Sequence, residues 1–142
     1  MNEPHENRKL IETFCNEVIN NHDFSGLDRL MRDDYVQHNA DCAQGKAGFI
    51  EFFTTIFSAV PDFRYVIKAI VADGDLAWVY ARTLGTHTGE PWLGIPASGN
   101  RLDFDVVDMF RIKDGKIAEH WDVADTYAFF SQLGRIPRSD NF

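Results

Sequence analysis

The sequence has little of what marks several large protein classes. Its 142 residues include only two cysteines, Cys15 and Cys42, and neither has the CxxC or CxxxH spacing of a redox or zinc motif. No apolar run approaches the length of a membrane span, and the first twenty residues lack the apolar core of a signal peptide. We therefore expect a cytoplasmic protein with reduced thiols and no membrane partner.

Positive charge is also scarce. Lys and Arg number 14 against 22 Asp and Glu, which gives a net charge of -8, and the acidic residues are scattered along the chain. Such a chain repels phosphate backbones, so we expect no nucleic-acid partner. Repeats, linkers and low-complexity segments are missing as well. The 44% of hydrophobic residues suffice for one domain over residues 1–142 that encloses a pocket.

The apolar period changes from helical to strand-like along the chain. Helical spacing predicts a helix over residues 5–21, a short one after Ser25 and an aromatic-rich one over residues 47–60. Alternation predicts strands over residues 63–72, 76–88, 101–112 and 116–124. Asp125 and Gly134 are typical caps of a last helix. This order predicts an α+β fold with a curved antiparallel sheet wrapped on the N-terminal helices around one internal pocket.

The register of the last hairpin decides which side chains share a face. If Asp114-Gly115 is a two-residue turn, Asp108 lies on one face, and His120 and Asp122 on the other. If Lys113-Asp114 form a type I turn with Gly115 in a left-handed bulge, Asp108 lies opposite His120 and shares its face with Asp122. We favour the bulged register, because apolar side chains then surround the ionisable ones. The reverse face is mixed polar and apolar, which favours a homodimer interface.

Asp122 is the predicted general acid or base. An apolar pocket destabilises the charged form of a carboxylate, so its pKa rises toward the range of proton exchange at neutral pH. His120, His87 and His38 are candidates to hydrogen-bond this carboxylate or to polarise a substrate oxygen. A purely structural Asp–His pair, and a His38 that only bridges backbone groups, remain open alternatives.

The sequence patterns that would indicate two other mechanisms are weaker than the one for acid/base chemistry. His120, Asp122 and the distant His87 loosely match the two-His-one-carboxylate set of an iron oxygenase, but the ligand pattern alone does not lead us to expect a metal. A nucleophilic mechanism is disfavoured because neither cysteine has a histidine partner in sequence and no GxSxG motif is present. We expect neither a metal nor another cofactor.

Four segments carry a family resemblance. They are Asp34-Tyr-Val-Gln-His-Asn39, Gly85-Thr-His-Thr-Gly89, Gly94-Ile-Pro-Ala97 and Phe110-Arg-Ile-Lys-Asp-Gly-Lys-Ile-Ala-Glu-His-Trp-Asp122. In these segments the chain resembles the SnoaL-like polyketide cyclases of the NTF2-like superfamily, from about residue 8 to Gly134. The Arg-Ile-x-Asp-Gly-Lys-Ile segment followed by His-x-Asp is the most specific part.

The resemblance implies a cone-shaped α+β fold and an intramolecular aldol condensation that closes a polyketide ring without metal or cofactor. It implies that Asp122 is the acid/base and that His87 and His120 match family histidines. The chain departs at Asp108, where those cyclases carry a pocket histidine, so its chemistry can differ from ring closure. We therefore predict a cofactor-independent cyclase, lyase or isomerase for a hydrophobic carbonyl compound, in which Asp108 tunes the neighbouring groups.

The same cone hosts other functions. A non-catalytic module that binds a small molecule in the pocket is the main alternative, since apolar walls serve both. An epoxide hydrolase of this shape would need an arginine between two aspartates. Arg82 and Arg111 are predicted to point away from the pocket, which disfavours that activity.

Overall fold

The helices and strands follow the predicted order, with one additional strand. The computed structural model describes residues 4–137. Its elements are helices α1 (Pro4–Phe14), α2 (Leu27–Leu30), α3 (Gly45–Ala59) and α4 (Thr126–Leu133), and strands β1 (Met31–Gln37), β2 (Arg64–Asp73), β3 (Leu76–Thr86), β4 (Arg101–Lys113) and β5 (Lys116–Ala124). None of these helices combines the length and apolar composition that a membrane crossing requires.

The five strands form one sheet in the order β1-β5-β4-β3-β2. The predicted α+β fold, with helices laid on the sheet, is confirmed. Three strand pairs are antiparallel as expected, whereas β1 joins the edge parallel to β5. Strand β1 has no clear signal in the sequence, because the charged residues Arg32, Asp33 and Asp34 interrupt its apolar alternation.

Strand β3 separates an inner from an outer face. Its small residues Ala77, Val79 and Ala81 are fully buried, and α1 packs against this strand. Its bulky residues point outward, so that Trp78 and Tyr80 are 47% and 40% exposed. The small side chains let α1 approach the sheet closely, and the cavity lies beyond them, where β3 contributes Thr83 to the wall.

Helix α1 continues into a π-helical segment, Cys15–Asn20. At its end, the Asn20 side chain donates to the Tyr65 carbonyl (3.1 Å) and accepts from the Tyr65 amide (2.7 Å). Tyr65 lies on the edge strand β2, which has no neighbouring strand on one side. The Asn20 side-chain amide supplies the two hydrogen bonds that such a neighbour would make. The contact fixes the backbone from which Tyr65 reaches the interior.

The caps of α4 agree with the sequence. The Asp125 side chain accepts a hydrogen bond from the Ala128 amide (3.1 Å), and Gly134 ends the helix at φ 95°. An N-cap carboxylate and a left-handed glycine are the residues that these two positions favour. Asp125 thus caps α4, which leaves Asp122 available to the interior.

The predicted register of the β4–β5 hairpin is wrong in detail. The turn is the two-residue Asp114-Gly115, with φ 53° and 74°, and Lys113 pairs with Lys116. A bulge follows on β5, because Ile112 pairs with Ile117 but Arg111 pairs with Glu119, which leaves Ala118 as an extra residue. Asp108 therefore lies opposite Asp122 rather than His120, and Ile117 is buried instead of lying on the outer face. Since one extra residue reverses the alternation, His120 and Asp122 still lie on the same face as Asp108.

Candidate active site

A cavity of about 170 Å³ lies between the inner sheet face and the helices. About half of its wall residues are aromatic, namely Phe14, Tyr35, Phe49, Phe52, Phe53, Phe63, Tyr65, Trp92, Phe104, Phe110, Phe129 and Phe130. Its polar side chains include three on β4 and β5 and two from the end of β1, namely Asp108, His120, Asp122, Gln37 and Asn39. An apolar chamber with a few convergent polar groups is typical of a small-molecule site.

Asp108 and His120 form a buried pair. Nε2 of His120 lies 2.8 Å from Oδ1 of Asp108, and the two side chains are 12% and 8% exposed. The buried Tyr65 side chain also interacts with the Asp108 carboxyl group. Burial, and then the nearby negative charge of Asp108, raise the pKa of Tyr65 well above its ordinary value. Tyr65 thus stays a neutral hydroxyl beside this pair.

Gln37 determines which nitrogen of His120 carries a proton. Its Oε1 accepts a hydrogen bond from the Asn39 backbone amide (3.0 Å), and its Nε2 donates to the Tyr35 hydroxyl (2.5 Å). Oε1 is therefore an acceptor, and Nδ1 of His120, at 2.7 Å from it, must be the donor. With Nδ1 protonated, the Nε2···Oδ1 contact to Asp108 holds one shared proton, as imidazolium with carboxylate or imidazole with carboxylic acid. Both ring nitrogens are thus occupied.

Asp122 is the ionisable group with an available oxygen. Its Oδ2 accepts from Nδ2 of Asn39 (2.9 Å), and its Oδ1 takes no hydrogen bond from residues 4–137. Burial raises the pKa of Asp122 above its ordinary 3.8, while the Asn39 hydrogen bond and the nearby His120 oppose this shift. The geometry therefore offers Asp122, rather than His120, as the group that can exchange a proton with a ligand.

Comparison with known proteins identifies the family. The sequence profile of the SnoaL-like polyketide cyclases matches residues 9–133. The chain belongs to the SnoaL-like polyketide cyclase family.

Relatives and solved structures of this type support the assignment. "Probable cyclase otaY" of Aspergillus niger is 29% identical over 95 residues, which cover 66% of this chain and 76% of the relative. The aklanonic acid methyl ester cyclase DnrD of Streptomyces peucetius is 39% identical over 59 residues, 40% of either chain. The structure of TsrD from Streptomyces laurentii superposes with a TM-score of 0.86 at 30% identity, covering 96% of this chain and all of TsrD. The NTF2-like fold of the SnoaL-like family is thus confirmed.

His38, predicted as a site residue, lies outside the cavity wall of this SnoaL-like chain. His38 directly follows β1 and points to the outer face. Its ring stacks on Trp121, with ring centroids 4.7 Å apart, and its Nε2 lies 2.5 Å from Oε2 of Glu119. Arg111 donates to the other oxygen of Glu119 (2.7 Å). Hydrogen bonds from Arg111 and His38 lower the pKa of Glu119. The structure therefore places His38 in a surface hydrogen-bond network on the outer face.

His87 also lies apart from the cluster. It is fully buried at the end of β3, its Nε2 donates to the Glu90 carbonyl (3.0 Å), and its Nδ1 has no partner among residues 4–137. Its backbone bonds to Asn100 and Gly99 tie the two ends of the 87–100 loop together. The expectation that His87 lies beside Asp122 is not met, and the contacts of His87 are those of a loop-fixing residue.

Asp108, His120 and Asp122 offer ligands for a divalent cation, but they are not the predicted ligand set. One ligand atom each from Asp108, His120 and Asp122 lie within 4.8 Å of one another. These are one imidazole and two carboxylates, whereas the sequence suggested two histidines including His87. Oxygen and imidazole ligands suit Zn²⁺ or Fe²⁺, and the Nδ1–H bond of His120 to Gln37 is the orientation that a metal-bound histidine requires.

Sequence reasoning missed the residues that organise the site from β1. Tyr35, Gln37 and Asn39 alternate with Val36 and His38, and the odd-numbered set faces the cavity. The period of two over residues 35–39 could have found them. It was obscured because His38, the most conspicuous side chain of this segment, belongs to the opposite face.

Proposed function

We propose that the chain is an acid/base enzyme, either an aldol-type cyclase or lyase or an isomerase, that acts on a hydrophobic carbonyl compound. The observation that carries the proposal is the available carboxylate oxygen of Asp122 in an apolar cavity, with its pKa raised by burial. Membership of a cyclase family and relatives named cyclases support it.

In this proposal, Asp122 removes a proton from the carbon next to the substrate carbonyl. The enolate carbon then forms a bond to a second carbonyl, whose oxygen takes the proton back from Asp122. Atoms and electrons balance without a co-reactant. We assign the Asp108–His120 pair, whose position Gln37 fixes, to the electrostatic stabilisation of the developing enolate oxygen.

Proton abstraction can be tested before the natural substrate is known. In D₂O, the enzyme should exchange the methyl protons of an aryl methyl ketone such as 2-acetylnaphthalene, which NMR detects. Asp122→Asn should slow the enzyme-dependent exchange by roughly a hundredfold or more, as expected for loss of a general base. Asp105→Asn is the matched control, because this β4 carboxylate lies on the outer face, bound by Arg82. Exchange that survives Asp122→Asn would contradict the mechanism.

Two alternatives give different results in the same assay. If the protein is a binding module, the wild type and Asp122→Asn would both bind the ketone, and neither would accelerate proton exchange. An enzyme that uses a metal at Asp108, His120 and Asp122 would contain a stoichiometric cation by elemental analysis, and chelation would abolish its exchange activity.

We also propose that the protein is a cytoplasmic homodimer that pairs through the outer sheet face. Trp78, Tyr80 and Val123 expose large apolar surfaces there, and both cysteines are free and buried. Trp78→Glu should convert a dimer to a monomer in sedimentation velocity. An unchanged sedimentation coefficient would show that this face is not the interface.

A further inference from the structure

Three side-chain amides bond to the sheet in the same way. Each donates to the carbonyl and accepts from the backbone amide of one strand residue, as a neighbouring strand would. The bonds to the carbonyl and from the amide measure 2.6 and 2.9 Å for Gln44 on Gln37, 3.1 and 2.7 Å for Asn20 on Tyr65, and 2.9 and 2.8 Å for Gln132 on Asp103. We call these three contacts amide clamps.

The clamps lie where a strand lacks a neighbour on one side. Gln37 and Tyr65 belong to the edge strands β1 and β2, and Asp103 lies beyond the part of β4 that pairs with β5. Backbone polar groups at such positions need a partner other than a strand. Each clamp therefore satisfies and fixes one backbone position.

The side chains of the three clamped residues point to different places. The Gln37 side chain accepts from Nδ1 of His120 (2.7 Å), and the Tyr65 side chain interacts with the Asp108 carboxyl group. The Asp103 side chain instead bonds to an arginine on the outer face. The buried imidazole–carboxylate pair is thus contacted from both edges of the sheet, on each side by a residue whose backbone is clamped.

The two clamps that serve the pair both depart from ordinary helix ends. Gln44 is the N-cap residue of α3, a position where a short polar side chain usually accepts from the first turn. Its side chain bonds to β1, and in the described part of the chain it caps no amide of α3. Asn20 ends the π-helical segment, and such segments occur frequently at functional sites. Departures from local rules are expected where function constrains the fold.

We propose that Gln44 and Asn20 are positioning residues for the Asp108–His120 pair. Each acts through the strand residue that it clamps. Without its clamp, the backbone of an edge strand moves more freely, and the side chain that contacts the pair moves with it. Misplacement by about 1 Å, caused far from the reacting atoms, can lower a rate roughly a hundredfold. The effect on rate rests on the proposed function, whereas the effect on the His120 proton does not require turnover.

Gln44→Leu tests the first clamp, because leucine removes both bonds at a similar side-chain size. The Nδ1 proton of His120 should exchange with solvent about tenfold faster, as expected when hydrogen bonds that oppose local opening are lost. NMR measures this rate, and His120→Gln identifies the signal. In ketone proton exchange, kcat should fall about tenfold and KM should stay within about twofold, since the apolar wall is unchanged.

Asn20→Leu tests the second clamp and should lower kcat about fivefold. This reduction should vanish in a Tyr65→Phe background, because a residue that acts only through the Tyr65 hydroxyl has no further effect once that group is gone. Asn20→Asp keeps the bond from the Tyr65 amide and should lie between the wild type and Asn20→Leu. An equal reduction in both backgrounds would contradict action through Tyr65.

Gln132→Leu is the matched control, because it removes the same two bonds from a residue whose side chain faces outward. It should lower the melting temperature about as much as Gln44→Leu, yet leave kcat and the His120 exchange rate within about twofold. Equal effects of Gln132→Leu and Gln44→Leu on kcat, or an unchanged His120 exchange rate in Gln44→Leu, would overturn the proposal.

Failure of the proposed function gives a different result. In that case the wild type itself does not accelerate ketone proton exchange. Faster exchange of the His120 proton in Gln44→Leu, but not in Gln132→Leu, would then still support the positioning role.

Discussion

Two imidazole–carboxylate pairs lie on opposite faces of the sheet formed by β1, β4 and β5. The inner pair, Asp108 and His120, is 8% and 12% exposed, and its further contacts are to neutral groups of Gln37 and Tyr65. The outer pair, His38 and Glu119, is 39% and 18% exposed and is joined by Arg111. Water and the Arg111 guanidinium support the outer pair, as is usual for polar contacts on a protein surface. The same two functional groups without that support lie in a desolvated, apolar chamber, where they interact more strongly with any charge that develops on a ligand.

The largest difference is expected in stability. Asp108→Ala should lower the free energy of unfolding by about 3 kcal/mol or more, because it leaves His120 and the Tyr65 hydroxyl buried without their partner. Glu119→Ala should cost less than about 1 kcal/mol, since Arg111 and His38 can turn to water. Urea denaturation measures both. Equal losses would mean that burial does not distinguish the pairs.

The next difference is in catalysis. His120→Gln should slow ketone proton exchange by roughly a hundredfold, the usual loss when a group that stabilises developing negative charge is removed. His38→Gln should change the rate by less than about twofold, because His38 does not line the cavity. NMR in D₂O measures both variants. A comparable loss in His38→Gln would place the outer pair in the catalytic machinery.

The smallest difference concerns the pH dependence of stability, where the two faces should have opposite signs. Burial raises the pKa of Asp122, so its ionisation destabilises the folded state as pH rises from the unfolded to the folded pKa, and the cost persists above it. Asp122→Asn should therefore raise the melting temperature at pH 7. The pKa of Asp105 is lowered, chiefly by Arg82, so that its stabilisation is present at pH 7 and is lost on acidification.

Asp105→Asn should accordingly lower the melting temperature at pH 7, by a small amount because this carboxylate is exposed. The difference for Asp122→Asn should vanish below the ordinary carboxyl pKa, whereas the difference for Asp105→Asn should shrink only as the pH falls through the lowered pKa of the folded state. Calorimetry at pH 7 and at pH 3 gives the comparison. Shifts of the same sign at pH 7 would contradict the assignment of Asp122 to a desolvating environment.

Local patterns predicted much of the fold. The caps Asp125 and Gly134, the helical stripe of α1 and the alternation of β3 each depend on residues close in sequence, and all have the expected structures. Strand β1 could not be predicted in this way, because its charged residues are satisfied by ion pairs such as Arg32 with Asp114, 82 positions away. Alternation cannot reveal such partners.

The site was predicted only in part. Asp108, His120 and Asp122 come together as expected, although through a different register. His87 and His38 were predicted because imidazole groups suit acid/base chemistry. In the structure, His87 donates to a loop carbonyl and His38 faces outward. Gln37 and Asn39 were overlooked because amides have no titratable group. Their importance lies in which atoms they contact, and that depends on the parallel pairing of β1 with β5.

The extra residue Ala118 decides which side chains of β5 face inward. If Ala118 were paired with Arg111 instead of bulging, Trp121 would lie opposite Asp108 and enter the aromatic chamber, and His120 and Asp122 would face outward. Deleting Ala118 would not have this effect, because Glu119 would then follow Ile117 directly and the pair Asp108–Asp122 would be kept. The interior of this hairpin is thus tolerant of losing a residue at the bulge, but not of a one-residue slip between its two strands.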